Sequence, residues 1–246
     1  MNFNEKKAYV DKFISILPDD EKNFFDYNFA CVFTKNSVGM ESGINNHLEE
    51  VVASIKGLAN NVDEDRKRAL YNHYKAYNEV LDIIKANPNE KLSEELIKNV
   101  HEQVVDGING SLPGGIYRNA NIEVKGSKYV PCDYIKVYPK MEKYINEVND
   151  MPAGLDKAIE AHLRLHKIHP FFDGNGRTSR IIFNFMLIQN GFVPISIPTK
   201  RRNEYFNALE EYKINKTSEP FKTLVMNLLE KEYDRLIDLI LPYENK

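Results

Sequence analysis

A short run of the chain, HPFFDGNGRTSR from His169 to Arg180, gathers side chains that rarely stand so close together without a chemical use. His169 is a titratable imidazole, mostly neutral near pH 7 at a reference pKa of about 6.5. Asp173 offers a hard carboxylate oxygen of the kind Mg²⁺ takes beside phosphates. Gly174 and Gly176 allow positive φ angles and close backbone approach to a ligand. Arg177 and Arg180 add guanidinium forks suited to phosphate oxygens. A base, a metal ligand and a phosphate grip in one loop point to attack on a nucleotide phosphate.

Two helices must position that loop. Upstream, Leu155, Ala158, Ile159, Leu163, Leu165 and Ile168 mostly keep helical spacing. Downstream, Thr178 to Gln189 is apolar enough for a buried helix, and Asn190-Gly191 supplies its stop. A glycine-flanked turn that opens a helix leaves backbone N–H groups unpaired and pointing one way, which makes an anion site.

The rest of the chain reads as further helix. Pro18-Asp19-Asp20 marks a turn and a helix start, and the acids at 63–65 open a helix to about Lys85. Ser93 caps another through about Val105, and periodicity resumes at about Lys140. Arg202 to Tyr212 is helical in pattern, and Thr217 to Pro220 opens a long last helix with proline in its first turn. Between 106 and 139 glycines and prolines cluster. There Ile122, Val124, Tyr129 and Val130 alternate around Lys125-Gly126, a β-hairpin signal. An isolated hairpin is marginal, so this one should lie against the helical body. The expected fold is mainly α with one small β-hairpin.

Composition bounds the function. The formal net charge of −3 over 246 residues gives no electrostatic footprint for nucleic acid. Lys200, Arg201 and Arg202 form the tight basic cluster near the loop, and such clusters are mostly solvated surface. Two cysteines, Cys31 and Cys132, are too few for a disulfide scaffold and form no metal-type pair. The N-terminal MNFNEKKAYVDKF lacks a signal-peptide core, and no apolar run reaches the roughly 18 residues that span a bilayer. A cytoplasmic protein with no membrane or nucleic-acid partner is expected.

Residues 169–180 resemble the Fic family of nucleotidyl transferases, whose signature is HxFx(D/E)GNGRxxR. His169, Phe171, Asp173, Gly174, Asn175, Gly176, Arg177 and Arg180 fill every defined position. The resemblance implies a Fic-type helical bundle and a protein adenylyltransferase. It would move AMP from ATP to a Ser, Thr or Tyr hydroxyl of a target protein, with the chain itself as one candidate target. In that reading His169 takes the hydroxyl proton, Asp173 binds Mg²⁺, and Asn175 with the Gly174 and Gly176 amides surrounds the phosphates. Arg177 and Arg180 hold the β- and γ-phosphates, and Phe171 anchors the loop in the core.

Gly115-Ile116-Tyr117-Arg118 and the segment after it resemble the family's flap. The resemblance implies that Ile122, Val124, Tyr129 and Val130 dock an extended target by strand addition. Arg201, Tyr205 and Leu209 resemble the helix that follows the family's core. Ser37-Val38-Gly39-Met40-Glu41 resembles the inhibitory motif (S/T)xxxE(G/N), with Ser42 where Gly or Asn stands in the pattern. The family's glutamate pairs with the second signature arginine, here Arg180, and displaces the γ-phosphate. The same glutamate supports removal of AMP in some members. These resemblances divide the chain into an N-terminal helical region (1–60), a Fic core (61–212) and a C-terminal helix (213–246). Oligomeric state is left open, homo-oligomers included.

Blander and rival readings remain at this point. Glu41 alone would be a solvated helix acid, and Arg177 and Arg180 surface arginines. His162, His166 and His169 have HxxxHxxH spacing, which three imidazoles and a water could turn into a catalytic zinc site. That leaves both arginines and both glycines without a purpose, and otherwise His162 and His166 are surface or half-buried. A silent scaffold that only binds nucleotide, or a transferase with another donor, is the alternative function.

Overall fold

The structure is a computed structural model that describes residues 1–58, 63–108, 110 and 112–244. It contains ten α-helices among the described residues: α1 (Phe3–Phe13), α2 (Asp19–Ser42), α3 (Leu48–Ile55), α4 (Glu64–Ala86), α5 (Glu94–Val105), α6 (Val137–Asp150), α7 (Leu155–Ile168), α8 (Asn175–Gln189), α9 (Arg202–Asn215) and α10 (Glu219–Ile240). The fold is mainly α, as the periodicity predicts. The boundary expected at 60/61 lies outside the described residues.

Helix α8 is the centre of the bundle. Residues 175–187 are all buried, so the helix is surrounded on every side, by apolar contacts along its second half and by polar partners around Asn175 to Arg180. Helices α7, α5, α4 and α2 supply that surround, and α9 closes over α7. Local chemistry sets the helix starts. The Asp63 carboxylate accepts from Arg66 N at 3.1 Å, and Ser93 Oγ accepts from Leu96 N at 3.1 Å. Pro220 sits in the first turn of α10, where its missing N–H costs nothing. Pro139 lies within the first turns of α6, so that helix begins at Val137 rather than near Lys140.

Helix α2 brings a distant segment to the centre. Acids at Asp19, Asp20 and Glu21 suit the positive end of its dipole. Its second half is buried from Phe29 to Met40 save for half-buried Val32 and Lys35, and it stops at Gly43 with φ +69°. Asn36 Nδ2 donates to Ser196 Oγ at 2.9 Å and Arg202 Nε to Met40 O at 2.8 Å, which pins the last turns in place.

The expected β-hairpin is corrected by the structure. A turn does close at Gly126, where Ser127 N donates to Val124 O at 3.0 Å and φ is +80°. No strand flanks it among the described residues. The amides that would build a ladder are taken elsewhere: Lys128 N and Tyr129 N both donate to the Glu210 carboxylate, at 2.6 and 3.2 Å.

Candidate functional site

His169 caps the C-terminus of α7 in a left-handed conformation, φ 53° and ψ 62°. Few non-glycine residues adopt it, and it persists only where the surroundings enforce it. Here His169 N donates to Leu165 O at 3.1 Å, while Arg118 Nε donates to His169 O and Arg118 N to Pro170 O, each at 2.9 Å. The imidazole Nδ1 lies 3.3 Å from His166 O. A carbonyl can only accept, so Nδ1 carries the hydrogen and Nε2 keeps a lone pair. Burial, opposed by that backbone bond, lowers the His169 pKa to about 4. At neutral pH the ring is a neutral acceptor.

The next residues build the glycine-flanked turn that opens α8. Asn175 ties the loop shut, accepting from Phe171 N and donating to Phe171 O, each at 2.9 Å. Its side chain is therefore spent within the loop, and its amide is what remains for a ligand. Gly174 is the left-handed N-cap of α8, and Thr178 N makes the first helical bond to Gly174 O at 2.9 Å. The amides of Asn175, Gly176 and Arg177 precede that bond at the positive end of a buried helix. Any Cβ on Gly176 would collide with the carboxylate of Glu41. A carboxylate thus rests on the helix N-terminus.

Arg180 meets α2 at three points. Its Nε donates to Ser37 Oγ at 2.9 Å, and its Nη2 to Ser37 O at 2.8 Å and Glu41 Oε1 at 2.7 Å. The arginine side chain is 2% exposed and the glutamate 42%. Arg180 Nη1 is buried with no hydrogen-bond partner. Arg177 is also buried, with Nη1 on Val104 O at 3.2 Å and Nη2 on Asp173 Oδ2 at 3.3 Å. Asp173 itself projects outward, its side chain 66% exposed.

His169, Asp173 and the start of α8 edge a cleft of about 1510 Å³, lined by Glu41, His169, residues 172–176, the 123–128 segment and α9 through Phe206, Glu210 and Lys213, with Arg177 and Arg180 buried behind that lining. Of the flap residues expected to dock a target, Val124 lines the cleft. Ile122 and Tyr129 are half-buried and Val130 is 65% exposed. The Tyr129 ring lies 5.3 Å from Lys167 Nζ. Glu210 also accepts from Ser127 Oγ at 2.6 Å, so one carboxylate holds three flap donors. That role had no signature in the sequence, since the partners are 81–83 residues apart.

His162 is held between two helices. His162 Nδ1 donates to Ser179 O at 3.0 Å, and its Nε2 accepts from the Tyr205 hydroxyl at 3.1 Å. Both nitrogens are engaged, so the three histidines do not converge on a metal, and no cluster of three or more His, Cys, Asp or Glu could hold one among the described residues. His162 and His166 are fully buried rather than surface or half-buried. His101 was missed in the sequence. It stacks on Phe171 with ring centroids 3.6 Å apart, donates through Nε2 to Asp173 O at 2.9 Å and accepts from Gly115 N at 3.0 Å.

Residues 91–187 match a family model described as the Fic/DOC family. A protein adenylyltransferase Fic of Drosophila yakuba is 34% identical over 46% of this chain and 23% of its own length. A probable protein adenylyltransferase of Aquifex aeolicus is 30% identical over 67% of this chain and 51% of its own. The chain spans about a quarter to a half of the length of these curated relatives. Among solved structures, a Fic-domain-containing signalling protein from Bacteroides thetaiotaomicron superposes with TM-score 0.81 at 18% identity, covering 100% of this chain and 99% of that one. Fic-1 from C. elegans gives TM-score 0.81 at 19% identity over 98% and 72%. The likeness in fold reaches beyond the residues matched by the family model. No helix among the described residues is long and apolar enough to cross a membrane.

Proposed function

Because residues 91–187 are a domain of the Fic/DOC family, we propose that the protein is an adenylyltransferase that moves AMP from ATP onto a Ser, Thr or Tyr hydroxyl of a target protein, itself included. The observation that carries the reading is the neutral His169, its Nε2 lone pair free, beside the amide-rich start of α8 on one cleft. In the reaction the target oxygen bonds to the α-phosphorus, the bond to pyrophosphate breaks, and the hydroxyl proton passes to His169 Nε2. General-base help of this kind is worth ~10²–10⁴ in rate.

The α8 amides and the unpartnered Arg180 Nη1 suit phosphate oxygens, with Arg177 adding buried positive charge. Asp173 fits a cation that takes its remaining ligands from phosphates and water, since its carboxylate faces outward at the cleft edge. When bound, Mg²⁺ would supply neutralisation of the phosphate charge. Cytoplasmic placement is the matching expectation from the sequence.

Glu41 restrains the reaction in this reading. Its carboxylate sits where a phosphate would meet Gly176 and Arg180. A charged hydrogen bond is worth ~1.5–3 kcal/mol, which corresponds to about ten- to a hundredfold in nucleotide affinity. The half-exposed glutamate places the effect at the lower end.

The experiment is incubation with Mg²⁺ and ATP, then intact-mass analysis of wild type, His169→Ala and Glu41→Gly. An added AMP mass that disappears in His169→Ala and grows about tenfold in Glu41→Gly is expected. Undiminished addition in His169→Ala would sink the assignment of the base. An unchanged yield in Glu41→Gly would remove the inhibitory role.

A further inference from the structure

Arg118 does more than start the flap. It is 2% exposed, yet every partner of its guanidinium is a backbone carbonyl or a sulfur atom. Nε donates to His169 O at 2.9 Å, Nη1 to Ala120 O at 3.2 Å, and Nη2 to Cys132 O with Cys132 Sγ at 3.6 Å. Ala120 and Cys132 are the two stems of the flap segment. The backbone of the same residue donates to Pro170 O. One rigid fork therefore closes the base of the flap and grips the carbonyl of a residue held at φ 53°. Burying a charge that meets only neutral acceptors is costly unless its donors are satisfied together.

We propose that Arg118 is a positioning residue that couples the seating of the flap to the left-handed conformation of His169, so that the base is aimed only while the flap is closed. The proposal rests on His169 being the base, as argued above. With both stems home, the fork is fully occupied and the His169 carbonyl is fixed. When a stem lifts, the fork loses acceptors and loosens its hold on a strained backbone that is then left to the His169 N–Leu165 O and Arg118 N–Pro170 O bonds. Lysine cannot substitute, because its ammonium is a point donor that cannot span three carbonyls. The charged and titratable groups that face the imidazole are His166 on α7, Lys213 on α9, Glu41 on α2 and Arg118 itself.

The test uses Arg118→Lys and Arg118→Gln in the full chain, with circular dichroism to verify folding. Transfer kinetics should show kcat reduced about ten- to a hundredfold in both, the scale of a misplaced catalytic group, with KM for ATP within about twofold. NMR titration of the His169 ring separates charge from geometry. Arg118→Gln should raise its pKa, because a nearby cation is gone, while Arg118→Lys should leave it close to that of wild type. A destabilised but otherwise intact site would lower apparent kcat at constant KM only in proportion to the folded fraction, so kcat is counted per folded enzyme, and on that scale such a site would match wild type. Unchanged kcat and titration in folded Arg118→Gln would overturn the proposal.

One measurement depends neither on those variants nor on transfer. In wild-type protein, hydrogen exchange at Arg118 Nε–H should follow that of Tyr129 N–H within about threefold, since one opening frees both. A side-chain proton protected about a hundredfold beyond the flap amide would refute the coupling. If no variant, wild type included, transfers AMP, the transferase reading fails while the exchange result still decides the role of Arg118.

Discussion

Residues 169–180 and the flap at 122–130 face each other across one cleft and are held by opposite means. The loop is tied to itself: Asn175 to Phe171, Thr178 to Gly174 and Ser179 Oγ to Gly176 O at 3.0 Å, all within four residues. The flap has one internal turn and a short Ser127–Tyr129 link, and the amides of Lys128 and Tyr129 reach Glu210 on α9. A locally closed segment keeps most of its shape by itself, and here outside help reaches only His169 and Pro170, from Arg118, and the Asp173 carbonyl, from His101. A segment closed by a distant carboxylate keeps its shape only while that neighbour stays.

If the comparison is right, damage to the loop should be large and damage to the flap small. His169→Ala should cost the most, ~10²–10⁴ in transfer rate with folding intact, measured by the rate of AMP incorporation. Retained rate would break the comparison at its strongest point. Asn175→Ala strands the buried N–H and C=O of Phe171, and unmet groups of that kind cost ~1–3 kcal/mol each. Urea unfolding should show the loss, and nucleotide affinity should fall with it.

Acid should reach the loop's surroundings before it reaches the flap. Burial drives the pKa of His101 and His169 to about 4 and of His162 to about 3, and it lowers those of His73 and His166 as well. The unfolded chain binds these protons near pH 6.5 and the folded chain does not, so stability is full above about 6.5 and declines as pH falls towards 4. Thermal melts at stepped pH would register that decline. A flat profile between 6.5 and 4.5 would mean the rings are charged in the folded state.

Glu210→Gln should have the smallest effect. The amide side chain can still accept from one flap donor, so hydrogen exchange at Lys128 and Tyr129 should quicken by about tenfold while Tm stays within a few degrees. Unaltered exchange would show that Arg118 alone holds the flap.

The same contrast explains what could be read from the sequence. Helix starts at Asp63, Ser93 and Pro220 were legible because each cap lies within three residues of what it caps. The spacing of the glycines signalled a helix N-terminus, although α8 begins three residues before the expected Thr178. Alternation at 122–130 was legible as extended chain but not as ladder or coil. What decides that is a carboxylate on α9, and Glu210 looks like any helix acid. His162 and His166 were underestimated for a related reason. A histidine on an apolar face can be buried when a partner awaits it, and for His162 the partners Ser179 and Tyr205 come from other helices, whereas His166 is buried with its Nδ1 unpartnered. The i,i+4 spacing of Ser37 and Glu41 predicts a shared face, and both do meet the Arg180 guanidinium.

That meeting has a mechanical corollary. Ser37 Oγ, Ser37 O and Glu41 Oε1 stand one helical turn apart on a single rigid rod and grasp one fork. A helix advances about 1.5 Å and rotates about 100° per residue. Slippage by one residue would carry the serine and the glutamate around the rod together, and no nearby register restores the match. Displacement of the rod as a whole is therefore stepwise rather than graded: α2 is seated on Arg180 or it is not.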